Sequence, residues 1–255
     1  MGLLGPRVRL SGPSGPSERA LRSVRAGRIP DNRGMEPDLH ELLRSLRVWD
    51  PAVTSLPPLA PDTAPAAPLP LFARWLAQAA EAGQAEPHTM SLATADAEGR
   101  PDVRIVMLHG ADDEGWSFAT HAHSRKGGQL AGRPYAALAF YWPVLGRQVR
   151  VRGPVGAASR EEAQADLHAR STGALAAALT GRQSAVLGST EELARASDAA
   201  WERARREPAA PAPSWTLYRL RPDEVEFFQG DARRRHVRLR YRRAPEGWAR
   251  ELLWP

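Results

Sequence analysis

Residues 104–126, RIVMLHGADDEGWSFATHAHSRK, decide how this chain is read. An arginine opens one apolar strand, Asp112–Gly115 supplies hairpin-turn chemistry, and a second strand ends in Phe118-Ala119-Thr120. Ser124, Arg125 and Lys126 follow at once. Two cations and two hydroxyls gathered after strand ends suit a phosphate monoester. Guanidinium and ammonium give charge-assisted hydrogen bonds, and hydroxyls meet the remaining lone pairs. The same three residues also suit a polar helix start with a solvated positive face. On these residues alone both readings stand.

Strand periodicity extends outward from this stretch. TMSLATA from Thr89 is followed by a turn at Asp96–Gly99 and by PDVRIVML. Tyr135–Trp142 (YAALAFYW) reads as a buried strand, and Arg147–Val155 alternates charged with apolar residues. Upstream, Leu71, Phe72, Trp75, Leu76 and Ala79 have helical spacing. A polar, alanine-rich helical block is expected from Arg160 to about Arg206, with Leu193 and Trp201 as the anchors of its Glu191–Arg206 part. WTLYRL, EVEFF, HVRLRY and WARELL then return to strands. Six or more antiparallel strands with inserted helices predict an α+β barrel rather than a doubly wound sheet. No G-x-G-x-x-G, no G-x-x-x-x-G-K and no internal repeat is present.

The whole chain of 255 residues can bury a full core, and 42% hydrophobic with 25% charged residues is ordinary for a globular protein. No cysteine is present, which excludes disulfides, thiolate metal sites and cysteine nucleophiles and makes the cytoplasm the expected compartment. No apolar run is long enough to span a bilayer, so no membrane partner is expected. The net charge of +6 imitates a nucleic-acid binder. However, residues 1–34 hold seven arginines against Glu18 and Asp31, which accounts for five of those six charges. The remainder makes no electrostatic claim on nucleic acid. That leader, with SGPSGPS and no apolar periodicity, reads as a disordered extension, and Met35 is the expected start. Residues 35–70 read as a Pro-rich N-terminal arm and 71–255 as the folded domain.

Among the seven histidines, His121 and His123 would share a face if their strand continued, but no further ligand follows at metal spacing. No G-x-S-x-G elbow supports a serine hydrolase. In Phe227–Arg238 (FFQGDARRRHVR) a Gly turn joins two strands, and alternation would place Arg234, His236 and Arg238 on one face. That face fits either an anion or aromatic-ring site or a charged, protected edge strand.

RIVMLH, FATHAHSRK, LGRQVRVRG, GRQS, EFFQG, RRHVRLRY and the closing LLWP, in this order over residues 71–255, resemble the pyridoxine/pyridoxamine 5′-phosphate oxidase family. The flavin oxidases of phenazine biosynthesis, close cousins, share the FATHA wording. The resemblance implies a split β-barrel homodimer with FMN at the subunit interface and O2 as electron acceptor. It also implies cofactor-binding roles for Arg104, Ile105, Val106, Met107, Leu108 and His109, and for Ala119, Thr120, Ser124, Arg125 and Lys126. Gln148, Gln183, Ser184, Phe228 and Arg238 would complete that set, with Phe228 replacing the family's tryptophan.

On the substrate side the resemblance breaks. The family's phosphate clamp of lysine, tyrosine, arginine and serine falls on His109, Asp166, Arg170 and Ala174, while the ring-facing pair survives as Arg234 and His236. Losing a lysine and gaining a carboxylate disfavours a dianionic phosphate. The expectation is therefore an FMN-dependent oxidase acting on a small nitrogen heterocycle of secondary metabolism, with Arg234 and His236 orienting it and Arg170 taking any anionic group. The alternatives are an authentic pyridoxine/pyridoxamine 5′-phosphate oxidase and a non-catalytic flavin-binding module.

Overall fold

The computed structural model describes residues 38–46, Trp49 and 55–255; residues 1–37, which include the expected leader and start, lie outside them. The chain divides into two units, 1–47 and 48–255. In the first, Leu39–Ser45 forms a short helix, α1, capped by Asp38.

In the second unit, residues 55–60 belong to no helix or strand and Pro61–Thr63 makes one 3-10 turn. Helix α2 (Pro68–Glu81) starts at a proline whose missing N–H costs nothing in a first turn. Its buried Leu71, Phe72, Trp75 and Ala79 form one stripe against the sheet. The strands are β1 (Thr89–Ala95), β2 (Pro101–Met107), β3 (Gly110–Ala111), β4 (Trp116–His121), β5 (Tyr135–Trp142) and β6 (Arg147–Ala157). After the helices come β7 (Trp215–Leu220), β8 (Glu224–Gln229), β9 (Val237–Ala244) and β10 (Gly247–Leu253). All pairings are antiparallel, in the order β10-β9-β8-β6-β5-β1-β2, with β7 joining β6 to β4 and β4 joining β3. Closure comes from β6. Its first half pairs β8 and its last residues, Val155–Ala157, pair β7, so the sheet curls into the split half-barrel that the sequence led us to expect.

Strict alternation sorts the two sheet faces. Met90, Leu92, Leu138, Phe140, Trp142, Val149, Val151, Val225, Phe227 and Tyr241 face inward with Phe72, Trp75 and Trp116. The other face carries Ser91, Ala139, Gln148, Arg150, Glu226, Phe228, Arg238 and Arg240, with exposed Val103, Ile105 and Met107 on β2.

The expected helical block resolves into α4 (Arg160–His168), α5 (Thr172–Thr180) and α6 (Thr190–Arg206). Ser171 starts a fresh helix by capping Ala174, and Gly181, at φ 73°, ends it. Leu193 and Trp201 are not its anchors, for they are 47% and 38% exposed. Small residues do that work: Ala200 and Ala204 are buried in α6, and Ala176, Ala178 and Ala204 cluster with Leu167 and Leu175. Alanine allows closer backbone approach than either large residue would.

Candidate functional site

Helix α3 (Arg125–Gly132) begins where β4 ends, and Ser124 caps it by accepting from the Gly127 amide at 3.2 Å. A Cβ on Gly127 would sit 2.2 Å from the Ala122 carbonyl oxygen, so only glycine lets the helix start this close to the strand end. This turn buries Lys126 while leaving Arg125 73% exposed. Of the two cations in Ser-Arg-Lys, one is therefore buried beneath the strand end and the other faces solvent.

Lys126 Nζ donates to the Thr120 hydroxyl at 3.0 Å, and Thr120 donates in turn to Gln183 Oε1 at 2.7 Å. Ser124 Oγ lies 3.4 Å from Thr120 Oγ1, and Ser184 Oγ accepts from the Arg125 amide at 3.2 Å. Arg104 reaches inward from β2 to Thr94 Oγ1 (2.6 Å), the Leu92 carbonyl (3.2 Å) and Gln129 Oε1 (3.3 Å). Seven residues singled out from sequence thus converge: Arg104, Thr120, Ser124, Arg125, Lys126, Gln183 and Ser184. Burial and then the neighbouring Arg104 charge hold the Lys126 ammonium below its usual pKa, with Asp102 opposing. The charge of an anion placed beside it would counter both effects.

Asp102 and Gln129 had not been singled out. The Asp102 carboxylate takes Arg104 at 2.7 Å and Arg125 at 3.3 Å. Burial works against its charge, but the two arginines and Gln129 outweigh that and hold its pKa below the usual range. In the remaining run, Val106 and Leu108 pack against the core, whereas Ile105 and Met107 are exposed on the opposite face. Ala119 sits on β4 beside Thr120 and offers no ring.

A second group lies on that opposite face. Gln148, Phe228 and Arg238 are direct cross-strand neighbours on β6, β8 and β9. Arg238 donates through Nε to Glu226 Oε1 at 2.8 Å and through Nη1 to the Trp254 carbonyl at 2.8 Å. Glu226 also takes Arg150 at 3.3 Å. The expected alternation of Arg234, His236 and Arg238 does not extend through all three, because β9 starts only at Val237. Residues 231–236 form a turn instead. Asp231 Oδ1 accepts from the Arg233 amide at 2.8 Å and the Arg235 amide at 3.3 Å, and Arg234 adopts φ 65°. His236 Nδ1 accepts from the Asp231 amide at 3.1 Å, so its proton sits on Nε2. The ring lies 5.1 Å from Phe228 and edge-on to Trp49 at 5.8 Å.

The third group is the altered clamp. His109 follows β2, and Asp166 and Arg170 come from the end of α4. His109 Nδ1 lies 2.9 Å from Asp166 Oδ2, and Arg170 grips Asp166 with Nη2 at 2.7 Å and Nε at 3.1 Å. Burial depresses the His109 pKa more than Asp166 raises it. Burial opposes charge on Asp166, yet the bonds from Arg170 and His109 keep it a carboxylate. Ala174, in the first turn of α5, brings no polar side-chain atom. His121 and His123 stack at 5.3 Å, and among the described residues no cluster able to hold a metal occurs. None of their helices is long and apolar enough to cross a membrane.

A family model described as pyridoxamine 5′-phosphate oxidase matches residues 76–229. One described as the pyridoxine 5′-phosphate oxidase C-terminal dimerisation region matches 215–255. The chain is 45% identical over 199 residues to the pyridoxine/pyridoxamine 5′-phosphate oxidase of Burkholderia multivorans, covering 76% of this chain and 92% of that one. It is 43% identical over 195 residues to that of Azotobacter vinelandii, covering 75% and 90%. Among solved structures, PhzG from Burkholderia lata, in complex with tetrahydrophenazine-1-carboxylic acid, matches with TM-score 0.73 and 32% identity over 79% of this chain and 100% of that one. An FMN-binding protein from Nostoc punctiforme shares the fold, with TM-score 0.60 and 22% identity over 77% of this chain and 98% of its own.

Proposed function

The chain belongs to the pyridoxine/pyridoxamine 5′-phosphate oxidase family, and from that membership we propose that it is an FMN-dependent oxidase whose substrate is a small, reduced nitrogen heterocycle without a phosphate. The observation that carries the flavin is Lys126. Its buried ammonium spends one donor on Thr120 and forms no ion pair among the described residues, with Arg104 and the Ser184 hydroxyl close to the same turn. That donor set fits a phosphate monoester dianion.

Arg104, Thr120, Ser124, Arg125 and Lys126 would hold the FMN phosphate, with Gln183 and Ser184 closing over it. When bound, FMN supplies two-electron chemistry, taking hydride from a substrate carbon and delivering electrons to O2. Gln148, Phe228 and Arg238 would serve the ring end. They lie on the sheet face opposite to Arg104, which favours a site completed by a second copy of the chain. The match of residues 215–255 to a dimerisation region supports the same homodimer. Arg234 and His236 would orient the substrate, His236 as a donor through Nε2–H.

The second reading is an authentic pyridoxine/pyridoxamine 5′-phosphate oxidase, favoured by 45% identity to such an enzyme. The charge-neutral trio His109–Asp166–Arg170 weighs against it, and the ligand in the PhzG neighbour is a reduced heterocycle of the proposed kind. The test is to purify the protein, identify any released chromophore and its stoichiometry, and follow peroxide formation with reduced heterocycles. Colourless protein that takes up no added FMN would refute the proposal.

A further inference from the structure

Resting on the oxidase reading, we propose that His109, Asp166 and Arg170 form a subsite that recognises an uncharged N–H or O–H group of the substrate. Asp166 is the residue that converts an anion clamp into this donor-recognising site.

The case begins with hydrogen-bond polarity. A carboxylate only accepts, so the His109 nitrogen at 2.9 Å from Asp166 Oδ2 carries the ring proton. Nε2 of the neutral ring is then a lone pair, and among the described residues it makes no hydrogen bond. Where the family's lysine would offer three N–H donors to a phosphate, this site offers an acceptor. Burial of the ring favours the neutral form and, with Arg170 and then His88 adding like-charge pressure, outweighs the pull of Asp166 toward protonation.

Arg170 cannot make up the difference. Two of its nitrogens are already forked onto Asp166 at 2.7 and 3.1 Å, the geometry by which a guanidinium would otherwise grip two phosphate oxygens. The trio has no net charge, because the guanidinium and the carboxylate cancel. A dianion entering it would have to displace Asp166 from Arg170 and remain beside a carboxylate that is 16% exposed. A neutral donor meets no such cost.

His236 has the complementary tautomer, since its Nδ1 accepts from the Asp231 amide and Nε2–H points away as a donor. With the second copy proposed above completing the site, the two histidines would ask different things of one ligand: an acceptor for His236 and a donor for His109. A partly reduced nitrogen heterocycle, with one ring nitrogen bearing hydrogen and another atom bearing a lone pair, meets both demands.

The experiment is calorimetric titration of FMN-loaded protein with two probes that differ only at this end, pyridoxine and pyridoxine 5′-phosphate. The wild type is expected to bind pyridoxine at least as tightly as its phosphate. Asp166→Asn, which frees Arg170, should shift the ratio of affinities toward the phosphate by about tenfold or more. His109→Phe should weaken pyridoxine while His109→Gln, which keeps an acceptor, retains most of its binding. Because the readout is a ratio within each variant, partial unfolding moves both affinities together and leaves it unchanged. Wild type that prefers the phosphate, or binds neither probe, overturns the proposal, as does an unchanged ratio in Asp166→Asn. FMN content of the same samples reports on the oxidase reading separately.

Discussion

Glu226 and Arg238 meet at 2.8 Å across β8 and β9, with the Glu226 side chain only 4% exposed. The same carboxylate holds Arg150 from β6, so one buried anion fixes a cation on each neighbouring strand. Because Arg238 keeps part of its surface in water, Glu226→Ala should cost about 1–3 kcal/mol, less than a fully buried pair would. Urea denaturation checks the stability. A parallel FMN titration should show weakened flavin binding, since Arg238 loses its fixed position.

Lys126→Met should separate affinity from stability. The ammonium is buried against its charge, so removing it should leave the flavin-free protein as stable as before or slightly more so. FMN affinity should fall about 10- to 100-fold, the worth of one charged hydrogen bond. Fluorescence titration with FMN and thermal melting of the flavin-free protein measure the two quantities.

Asp102 lies between Arg104 and Arg125, the two arginines proposed to hold the FMN phosphate, and would compete with that anion for them. Asp102→Asn keeps the shape and removes the negative charge. FMN should bind several-fold more tightly to this variant, and the gain should shrink as salt is raised, since Arg125 is exposed. Unchanged affinity at low salt would show that the carboxylate does not oppose the ligand.

Acid should destabilise the protein in two stages. Burial lowers the pKa of His109 and, with help from His123 and Lys126, that of His121, both from 6.5. Well above 6.5 both are neutral in folded and unfolded chains and contribute no slope. Below it the unfolded chain takes up protons first, so stability falls with pH. Asp102, Asp166 and Glu251 have depressed values, the last about 2, and their contribution is lost only further down, as pH falls through the carboxylate range. Denaturation midpoints across pH should show both stages, and His121→Gln should flatten the first.

Much of this was legible in the chain. β5 spans the very residues read as a strand, Tyr135–Trp142, and the Asp112–Gly115 turn holds through Asp112 Oδ1, which accepts from Glu114 and Gly115. Those signals are local. What escaped depends on neighbours brought in from elsewhere. Arg125 and Lys126 are adjacent in sequence, but one helical step turns the first to solvent and the second under Thr120. Trp201 looked like an anchor by size, yet alanines make the close contact. Asp231 ends the strand pattern before His236 by capturing two amides, a turn its sequence could have announced. The Glu226 network was readable too, had the alternating acids of β8 been set against the alternating arginines of β6 and β9.

One comparison weighs most. FMN-loaded protein should be mixed without oxygen with pyridoxine 5′-phosphate or with a reduced nitrogen heterocycle such as a tetrahydrophenazine, and bleaching of the flavin absorbance followed. The clamp geometry calls for bleaching by the heterocycle and little or none by the phosphate. Rapid bleaching by pyridoxine 5′-phosphate, with pyridoxal 5′-phosphate as product, would contradict it and make the chain a vitamin B6 oxidase despite Asp166.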